Sequence, residues 1–184
     1  ARRGSLPRRM LLGNDAPTQL ARELTQEPAG RRVAVLLDAR TRQAAGERCM
    51  AALAEAGFAV HEQLLPDLHG HSPVCDDVTK DHVAAELPEV DALVGVGSGV
   101  IGDLTKWIAF ERKLPAAIFA TAASMNGFAA ANVAPSVAGV KTLVLGRAHR
   151  LIAADPKVLA DAPRALTSAG LGDVIAKTVS TADW

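Results

Sequence analysis

Closely spaced glycines follow an apolar run near the middle of the chain. Gly97, Gly99 and Gly102 come after residues 92–96, and a helix-like pattern begins there. Glycines let a backbone pass close to a phosphate, and the first turn of a helix offers unpaired N–H groups and the positive end of its dipole. The spacing therefore predicts a binding site for nucleotide phosphates. The alternative is a plain tight turn between a strand and a helix.

Two carboxylates have places that suit the same ligand. Asp38 ends the aliphatic run 32–38, where a carboxylate accepts hydrogen bonds from a ribose and repels a 2′-phosphate. That position favours NAD over NADP, and the alternative is a solvated acid at a strand end. Asp103 and Lys106 lie one and two helical turns beyond the glycines, which strengthens the phosphate interpretation.

Two other groups carry weaker signals. His69 and His71 could hold a metal, but no cysteine or acid stands at ligand spacing, so a surface loop is the simpler interpretation. A basic cluster near one predicted turn could receive a substrate phosphate, with a solvated turn as the alternative. Its members are Lys141, Arg147, His149 and Arg150.

The elements that must position these residues alternate between strands and helices. Aliphatic runs typical of buried parallel strands, or alternating strands, occur at 32–38, 58–64, 92–96 and 116–120, after a short apolar piece at 10–12. Helix-like segments occupy 42–56, 75–87 and 100–112 between them. This order predicts a doubly wound, mostly parallel α/β sheet of Rossmann type, with the glycine turn after its fourth strand.

Beyond Thr121 the pattern changes. Short runs at 133–137, 140–145 and 151–154 predict a small antiparallel addition, and the sequence is helical from Asp155 onward. Gly170 and Gly172 each lower the helix propensity of that last segment by roughly 1 kcal/mol, so we expect a packing or ligand reason for both. We predict a cofactor domain at 1–155 and the start of an all-helical domain at 156–184.

Composition excludes several function classes. With 20 basic and 20 acidic residues the formal net charge is zero, and aromatic residues make up 3% of the chain, so neither a nucleic-acid partner nor base stacking is expected. No apolar run is long enough to span a bilayer. Two unpaired cysteines, Cys49 and Cys75, fit a reducing cytoplasmic setting.

Four segments, in order, carry a resemblance to a known family. They read GSGVIGDLTK at 97–106, TAASMNG at 121–127, GVK at 139–141 and AGLGDVIAK at 169–177. This series resembles the signatures of sn-glycerol-1-phosphate dehydrogenases, within the wider group of iron-containing alcohol dehydrogenases, glycerol dehydrogenases and 3-dehydroquinate synthases. The resemblance is strong from 92 to 184, and the first half resembles the group in architecture alone.

The resemblance implies a Rossmann-like domain followed by a helical domain, with cofactor and metal in the cleft between them. Gly97, Ser98 and Gly99 would line the pyrophosphate of NAD or, alternatively, NADP. Thr121, Ser124 and Asp38 would contact the same cofactor. Asp103 would shape the nicotinamide and substrate end, together with the catalytic candidates Asn126 and Lys141.

The resemblance also implies a metal. Asp173 would be one of three ligands to zinc or iron, and hydride would pass to the nicotinamide from a metal-bound polyol, polyol phosphate or alcohol. The other two ligands are histidines that follow later in the family pattern. The alternative for Asp173 is an i,i+4 partner of Lys177. We therefore expect the chain to be a fragment that binds metal weakly and catalyses nothing alone.

The chain departs from the family pattern at two positions. Asn126 stands where Asp is usual, which adds a donor and removes a charge, and Val100 stands where a hydroxyl residue is common. A 3-dehydroquinate-synthase-like enzyme and a non-catalytic nucleotide-binding module stay as alternatives. Val174, Ile175, Val179 and Trp184 predict an apolar helix face, which would promote a homo-oligomer.

Overall fold

Six parallel strands form the central sheet of the protein. The computed structural model describes residues 6–27, 30–68, 70 and 72–180. Its strands are β1 (Arg9–Leu12), β2 (Arg32–Leu37), β3 (Ala59–Leu64), β4 (Ala92–Gly97), β5 (Ala116–Ala120), β6 (Ser136–Val137), β7 (Val140–Lys141) and β8 (Leu151–Ala154). Its α-helices are α1 (Ala16–Leu24), α2 (Ala39–Thr41), α3 (Glu47–Glu55), α4 (Asp77–Glu86), α5 (Gly99–Glu111), α6 (Pro156–Asp161) and α7 (Arg164–Ser180).

The order of the strands creates a crevice at one edge of the sheet. The order is β1-β8-β5-β4-β2-β3, and every neighbouring pair in it is parallel. The connection from β2 leads outward to β3, whereas the connection from β4 leads the other way to β5. Ligands of open α/β sheets bind outside the carboxyl ends of the strands where the connections diverge in this way. That point lies here between β2 and β4.

Both faces of the central strands β2, β4 and β5 are buried, as the aliphatic runs predicted. Val33, Val35 and Leu37 of β2 join one core cluster with residues of α1 and α3. Ala34 and Leu36 point to the other face and join a second cluster with residues of α4 and α5. Helices on both faces of a parallel sheet explain why the strand is a continuous apolar run.

One strand differs from its prediction. Residues 151–154 were expected in an antiparallel addition, but β8 lies inside the main sheet and is parallel to both β1 and β5. The expectation was wrong because four consecutive apolar residues carry no information on strand direction. The long connection from 121 to 150 returns the chain to the end of the sheet where the strands begin, so that β8 runs parallel to its neighbour β5. The antiparallel pair is confined to β6 and β7, with an isolated bridge between Val133 and Val144.

A buried ammonium group holds that long connection in place. Lys106 of α5 is 1% exposed, and its Nζ lies 2.8 Å from Asp103 Oδ1. The same Nζ donates to the carbonyl oxygens of Gly127, Ala130 and Asn132 at 2.9–3.4 Å. A buried charge is tolerated only when it is paired and hydrogen-bonded, so these carbonyls must converge on one point.

His149 fixes the same connection from its other end. The ring is buried, and Nδ1–H donates to Phe128 O at 3.1 Å, while Nε2 has no hydrogen-bond partner among the described residues. Burial lowers the pKa of His149 to about 4, and the nearby Lys106 ammonium acts in the same direction. The imidazole is therefore neutral at physiological pH.

The last helix contacts the connection directly. A Cβ on Gly170 would lie 1.8 Å from Ala123 O, so α7 approaches the loop as closely as a backbone can. Three residues later, Asp173 Oδ2 accepts the Asn126 N–H at 2.7 Å. The expected packing reason is thus confirmed for Gly170. For Gly172 the structure shows no packing reason among the described residues, because nothing described lies within 4 Å of its added Cβ, and a ligand reason stays a prediction.

The outward side of α7 is apolar. Val174, Ile175 and Val179 are each more than half exposed, as is Leu171, and Trp184 lies outside the described residues. Self-association through this face stays a prediction. No helix within the described ranges has the length and apolar character needed to cross a bilayer.

The neutral state of His149 predicts a pH-dependent stability. An unfolded histidine binds its proton near pH 6.5, whereas folded His149 binds it near pH 4, so between these values the unfolded state holds more protons. The free energy of unfolding should fall as the pH drops through this window, by up to about 3 kcal/mol. Urea titrations at several pH values measure it.

The variant His149→Asn isolates this contribution from the carboxylates that titrate in the same range. Asparagine keeps an N–H donor for Phe128 O but has no proton to gain, so its stability should depend less steeply on pH. His61→Asn changes an exposed histidine and serves as the control. Equal slopes for wild type and His149→Asn would show that the account of His149 is wrong.

The two glycines of α7 predict substitutions of opposite sign. Gly170→Ala should destabilise the protein by about 2 kcal/mol, because the new methyl must push α7 away from Ala123 O. Gly172→Ala should stabilise it by up to about 1 kcal/mol, since the site is open and alanine favours the helix. Urea unfolding measures both. Hydrogen exchange at the Asn126 amide should accelerate in Gly170→Ala alone.

Candidate nucleotide site

A cleft lies where the strand order predicts one. Its volume is about 590 Å³, and it opens at the carboxyl ends of β2, β4 and β5. Each of these strands contributes a polar residue directly after its end, namely Asp38, Ser98 and Thr121. The opposite wall comes from α6 and the start of α7, through Asp161, Pro163 and Leu166 among others.

The glycine turn forms the floor between β4 and α5. Ser98 is the N-cap residue, and its Oγ accepts the Gly99 N–H at 2.6 Å and lies 2.7 Å from Ser124 Oγ. Val100 and Ile101 follow in the first helical turn and line the cleft. First-turn N–H groups have no acceptor within their own helix, and the 13-residue α5 adds its dipole. This end of the cleft is therefore suited to an anion.

Packing within the protein already accounts for one of the glycines. A Cβ on Gly97 would lie 2.3 Å from Ile101 Cδ1 and 2.7 Å from Ile101 Cβ, so only glycine lets α5 start this close to β4. On Gly99 the nearest atom would be Met125 Sδ at 3.2 Å, at the flexible end of a side chain. Gly102 has room for a Cβ, with no atom closer than 3.7 Å.

Asp38 is held in the cleft by several hydrogen bonds. It caps α2 through a reciprocal pair of bonds, because Oδ1 accepts the Thr41 N–H at 2.8 Å and the Asp38 N–H donates to Thr41 Oγ1 at 3.0 Å. Its Oδ2 accepts from Arg40 at 2.8 Å. Burial favours the protonated form, but the bonds from Thr41 and Arg40 outweigh it and lower the pKa of Asp38. The carboxylate is thus charged and rigid.

A helical irregularity follows Asp38. Residues Arg42–Gly46 form a π-helical turn between α2 and α3, and Gln43 and Ala44 from this turn line the cleft. π-turns are rare and occur mostly at functional sites. Nothing in the sequence pattern of 42–56 distinguished this turn from an ordinary helix.

Thr121 and Ser124 connect the loop to the glycine turn. The Thr121 N–H donates to Gly97 O at 3.0 Å, and Ser124 contacts Ser98 as described above. Both residues therefore lie beside the predicted phosphate position, and Thr121 lines the cleft itself.

Asp103 and Lys106 are not residues of the cleft lining, and both have internal partners. Asp103 Oδ1 pairs with Lys106, and its Oδ2 accepts the Ala134 N–H at 3.3 Å. Lys106 donates its hydrogen bonds to carbonyl groups of the loop, so neither side chain is directed at a phosphate. Their role in the structure is to hold the loop that carries Ser124 and Asn126. A lysine within an apolar helix stretch was the sequence signal for such a buried cation.

The predicted basic cluster does not assemble as a phosphate receptor. His149 is buried and neutral, and Arg150 is engaged with Glu27 at 3.1 Å. Lys141 and Arg147 are exposed. The cluster does not form because His149 is buried in the protein and Arg150 pairs with Glu27, so neither is available to a phosphate beside Lys141 and Arg147.

The donor set around Asp173 does not make a metal site by itself. Within 6–27, 30–68, 70 and 72–180, no three His, Cys, Asp or Glu side chains come together in a way that could hold a metal ion. Asp173 Oδ1 lies 3.6 Å from Lys177 Nζ, the i,i+4 contact of its alternative interpretation. His69 and His71 lie outside the described residues.

Arg40 is a cleft residue that the sequence interpretation missed. Its guanidinium lies at the predicted ribose end, two residues after Asp38. The sequence contains the signal, since Arg40 stands two residues after the strand-end acid Asp38. A basic residue at that place offsets the negative charge near a bound ribose or its 2′-phosphate.

Several proteins resemble the chain in sequence. A glycerol-1-phosphate dehydrogenase [NAD(P)+] of Bacillus velezensis is 32% identical over 176 residues, covering 95% of this chain and 44% of that protein. Its namesake in Thermococcus sibiricus is 30% identical over 179 residues, covering 97% of this chain and 49% of the other. The chain therefore spans about half the length of the curated relatives it matches.

A solved structure supports the fold, and a sequence profile shows the family. The crystal structure of glycerol dehydrogenase from Schizosaccharomyces pombe superposes with a TM-score of 0.79 at 22% identity, covering 97% of this chain and 45% of that one, which supports the fold. The sequence profile of the iron-containing alcohol dehydrogenases matches residues 11–163. Because that match covers most of the chain, from the first strand to the start of the last helix, the chain belongs to the iron-containing alcohol dehydrogenase family.

Proposed function

We propose that this chain is the cofactor-binding part of an NAD(P)-dependent, metal-dependent dehydrogenase of glycerol 1-phosphate or a related polyol or alcohol. One observation carries the proposal: Asp38, Ser98 and Thr121, each at the end of a different parallel strand, line a single cleft at the point where the connections diverge. The relatives named as glycerol-1-phosphate dehydrogenases support the substrate class.

The described residues fit a dinucleotide. The first-turn N–H groups of Val100 and Ile101 would bind the pyrophosphate, with Ser98 and Ser124 beside them. Asp38 would accept from the hydroxyls of the adenine ribose, since a carboxylate has lone pairs left after two bonds. Thr121 would contact the cofactor further along. The nicotinamide ring, when bound, supplies the hydride acceptor.

The substrate end lies on the loop after β5. Asn126 is exposed and its backbone is fixed by Asp173, so its amide can orient a substrate hydroxyl as donor or acceptor. Exposed Lys141 would supply a positive charge for a substrate phosphate. Asp103 would be a positioning residue, because its two carboxylate oxygens bind Lys106 and the Ala134 N–H and so hold the loop after β5 in place.

A metal would need donors beyond those described. Asp173 offers one carboxylate, which already accepts the Asn126 N–H and faces Lys177. Protein sites for catalytic zinc use three ligands and an open position. We infer that Asp173 is one ligand of a site that further residues complete. We also propose a cytoplasmic location, which the two free, buried cysteines support.

The cofactor proposal is tested by calorimetric titration of the chain with NAD⁺ and NADP⁺. Val100→Pro removes one first-turn N–H. Proline is compatible with that position of a helix, since Pro17 is likewise the second residue of α1. Gly97→Ala shifts Ile101 and the start of α5. Each should weaken binding about tenfold or more, since a hydrogen bond to a charged group contributes roughly 1.5–3 kcal/mol.

Gly102→Ala is the matched control, because it lies in the same helix and has room for a methyl group. It should bind the cofactor as the wild type does. The proposal fails if neither dinucleotide gives heat with the wild-type chain, or if Gly102→Ala loses as much affinity as Val100→Pro. For the complete protein, cofactor-dependent oxidation of polyols and polyol phosphates, with and without chelator, tests the substrate class.

The donor set also predicts weak metal binding by this chain alone. One carboxylate beside an ammonium group should not retain zinc through dialysis. Metal analysis of the purified chain should therefore find far less than one zinc per molecule, and Asp173→Asn should not lower that amount. Tight stoichiometric zinc in the wild-type chain would contradict the argument.

A further inference from the structure

Arg40 is the one cation among the described residues that line the cleft. Its side chain is 68% exposed, whereas that of its ion-pair partner Asp38 is 12% exposed. Within the described part of the chain, Asp38 is the one ion-pair partner of Arg40. An ion pair with so exposed a member contributes little to stability and opens readily, because the long side chain regains its freedom when it does.

The two partners differ in what holds them. Asp38 is fixed by the Thr41 N–H on Oδ1 and by its own N–H on Thr41 Oγ1. Arg40 has no comparable attachment, since its 2.8 Å bond to Asp38 Oδ2 is the one that its side chain makes among the described residues. The carboxylate therefore stays where it is, and the guanidinium is the group that can turn.

We propose that Arg40 decides the cofactor range of the cleft, so that it takes dinucleotides with a 2′-phosphate as well as those without. With a plain ribose bound, Arg40 stays on Asp38 and the carboxylate accepts from the ribose hydroxyls. With a 2′-phosphate bound, Arg40 turns to the phosphate and forms charge-assisted hydrogen bonds to it. Its charge also offsets the repulsion between that phosphate and Asp38.

The inference rests on the proposed function, because it needs the adenine ribose to lie at the end of β2. It adds a specificity-determining residue that a strand-end acid alone does not suggest. By itself Asp38 would reject a 2′-phosphate, whereas the pair of Asp38 and Arg40 has no net charge. Binding of a 2′-phosphate also needs a cationic group within reach of the ribose, and the guanidinium of Arg40 already lines the cleft.

The experiment compares NAD⁺ and NADP⁺ binding to the chain by calorimetry at two salt concentrations. Arg40→Ala should weaken NADP⁺ binding about 10- to 100-fold, since an Arg–phosphate pair is lost, and should change NAD⁺ binding less than threefold. Asp38→Asn keeps an N-cap oxygen for Thr41 but removes the charge, so it should strengthen NADP⁺ binding relative to NAD⁺. NADP⁺ binding to the wild type should also fall more steeply with salt.

Arg22→Ala is the charge-matched control. Arg22 is an exposed arginine in the last turn of α1, and it is not a residue of the cleft. Its removal should alter neither affinity. Unfolding in urea checks that Arg40→Ala keeps the stability of the wild type.

The possible outcomes separate the inference from the function on which it rests. If the wild type binds both dinucleotides but Arg40→Ala weakens them equally, or weakens neither, the inference is overturned and the proposed function stands. NAD⁺ binding without NADP⁺ binding overturns it in the same way. If neither dinucleotide binds, the proposed function fails and the inference fails with it.

Discussion

The buried ammonium group of Lys106 is the interaction on which the candidate site depends. A cation removed from water needs its donors satisfied, and the loop after β5 satisfies them with three carbonyl oxygens while α5 adds the carboxylate of Asp103. That requirement fixes the path of a loop which has little regular structure of its own. Ser124 and Asn126 lie on that loop, so one side chain of α5 helps to fix the position of both.

The other side of the cleft is governed by a different balance of charge. Asp38 is charged, nearly buried and held by a capping box, whereas Arg40 beside it is exposed and held by a single pair. Because Asp38 is fixed and Arg40 can turn, the pair can offer a ligand either a negative or a positive charge with little loss of free energy. The rigidity matters as much as the charge, because a carboxylate free to turn away could not discriminate between a hydroxyl and a phosphate.

The sequence predicted the parts of the fold that come from local pattern. The strands at 32–37, 92–97 and 116–120 are continuous aliphatic runs, and the glycine turn after β4 was found at its place. The direction of β8 was missed, because it depends on the route of a 30-residue connection that contains no α-helix. The spacing of Lys106 supported the phosphate site, whereas the structure buries this residue. Its burial depends on carbonyl groups up to 26 residues away, which the local sequence pattern does not reveal. Glycine propensity pointed to Gly170 but equally to Gly172, and tertiary contact alone distinguishes them.

Asp173 shows how a resemblance and a local geometry can assign one residue two roles. Its Oδ2 fixes the Asn126 N–H, and its Oδ1 faces the Lys177 ammonium at 3.6 Å. A divalent cation at Oδ1 would be repelled by Lys177 unless that exposed side chain turned away, which is easy for an i,i+4 pair on a helix surface. The bond to Asn126 need not break, because the two oxygens are separate acceptors. Asp173 can therefore hold the loop after β5 through Oδ2 while its Oδ1 remains available for another partner.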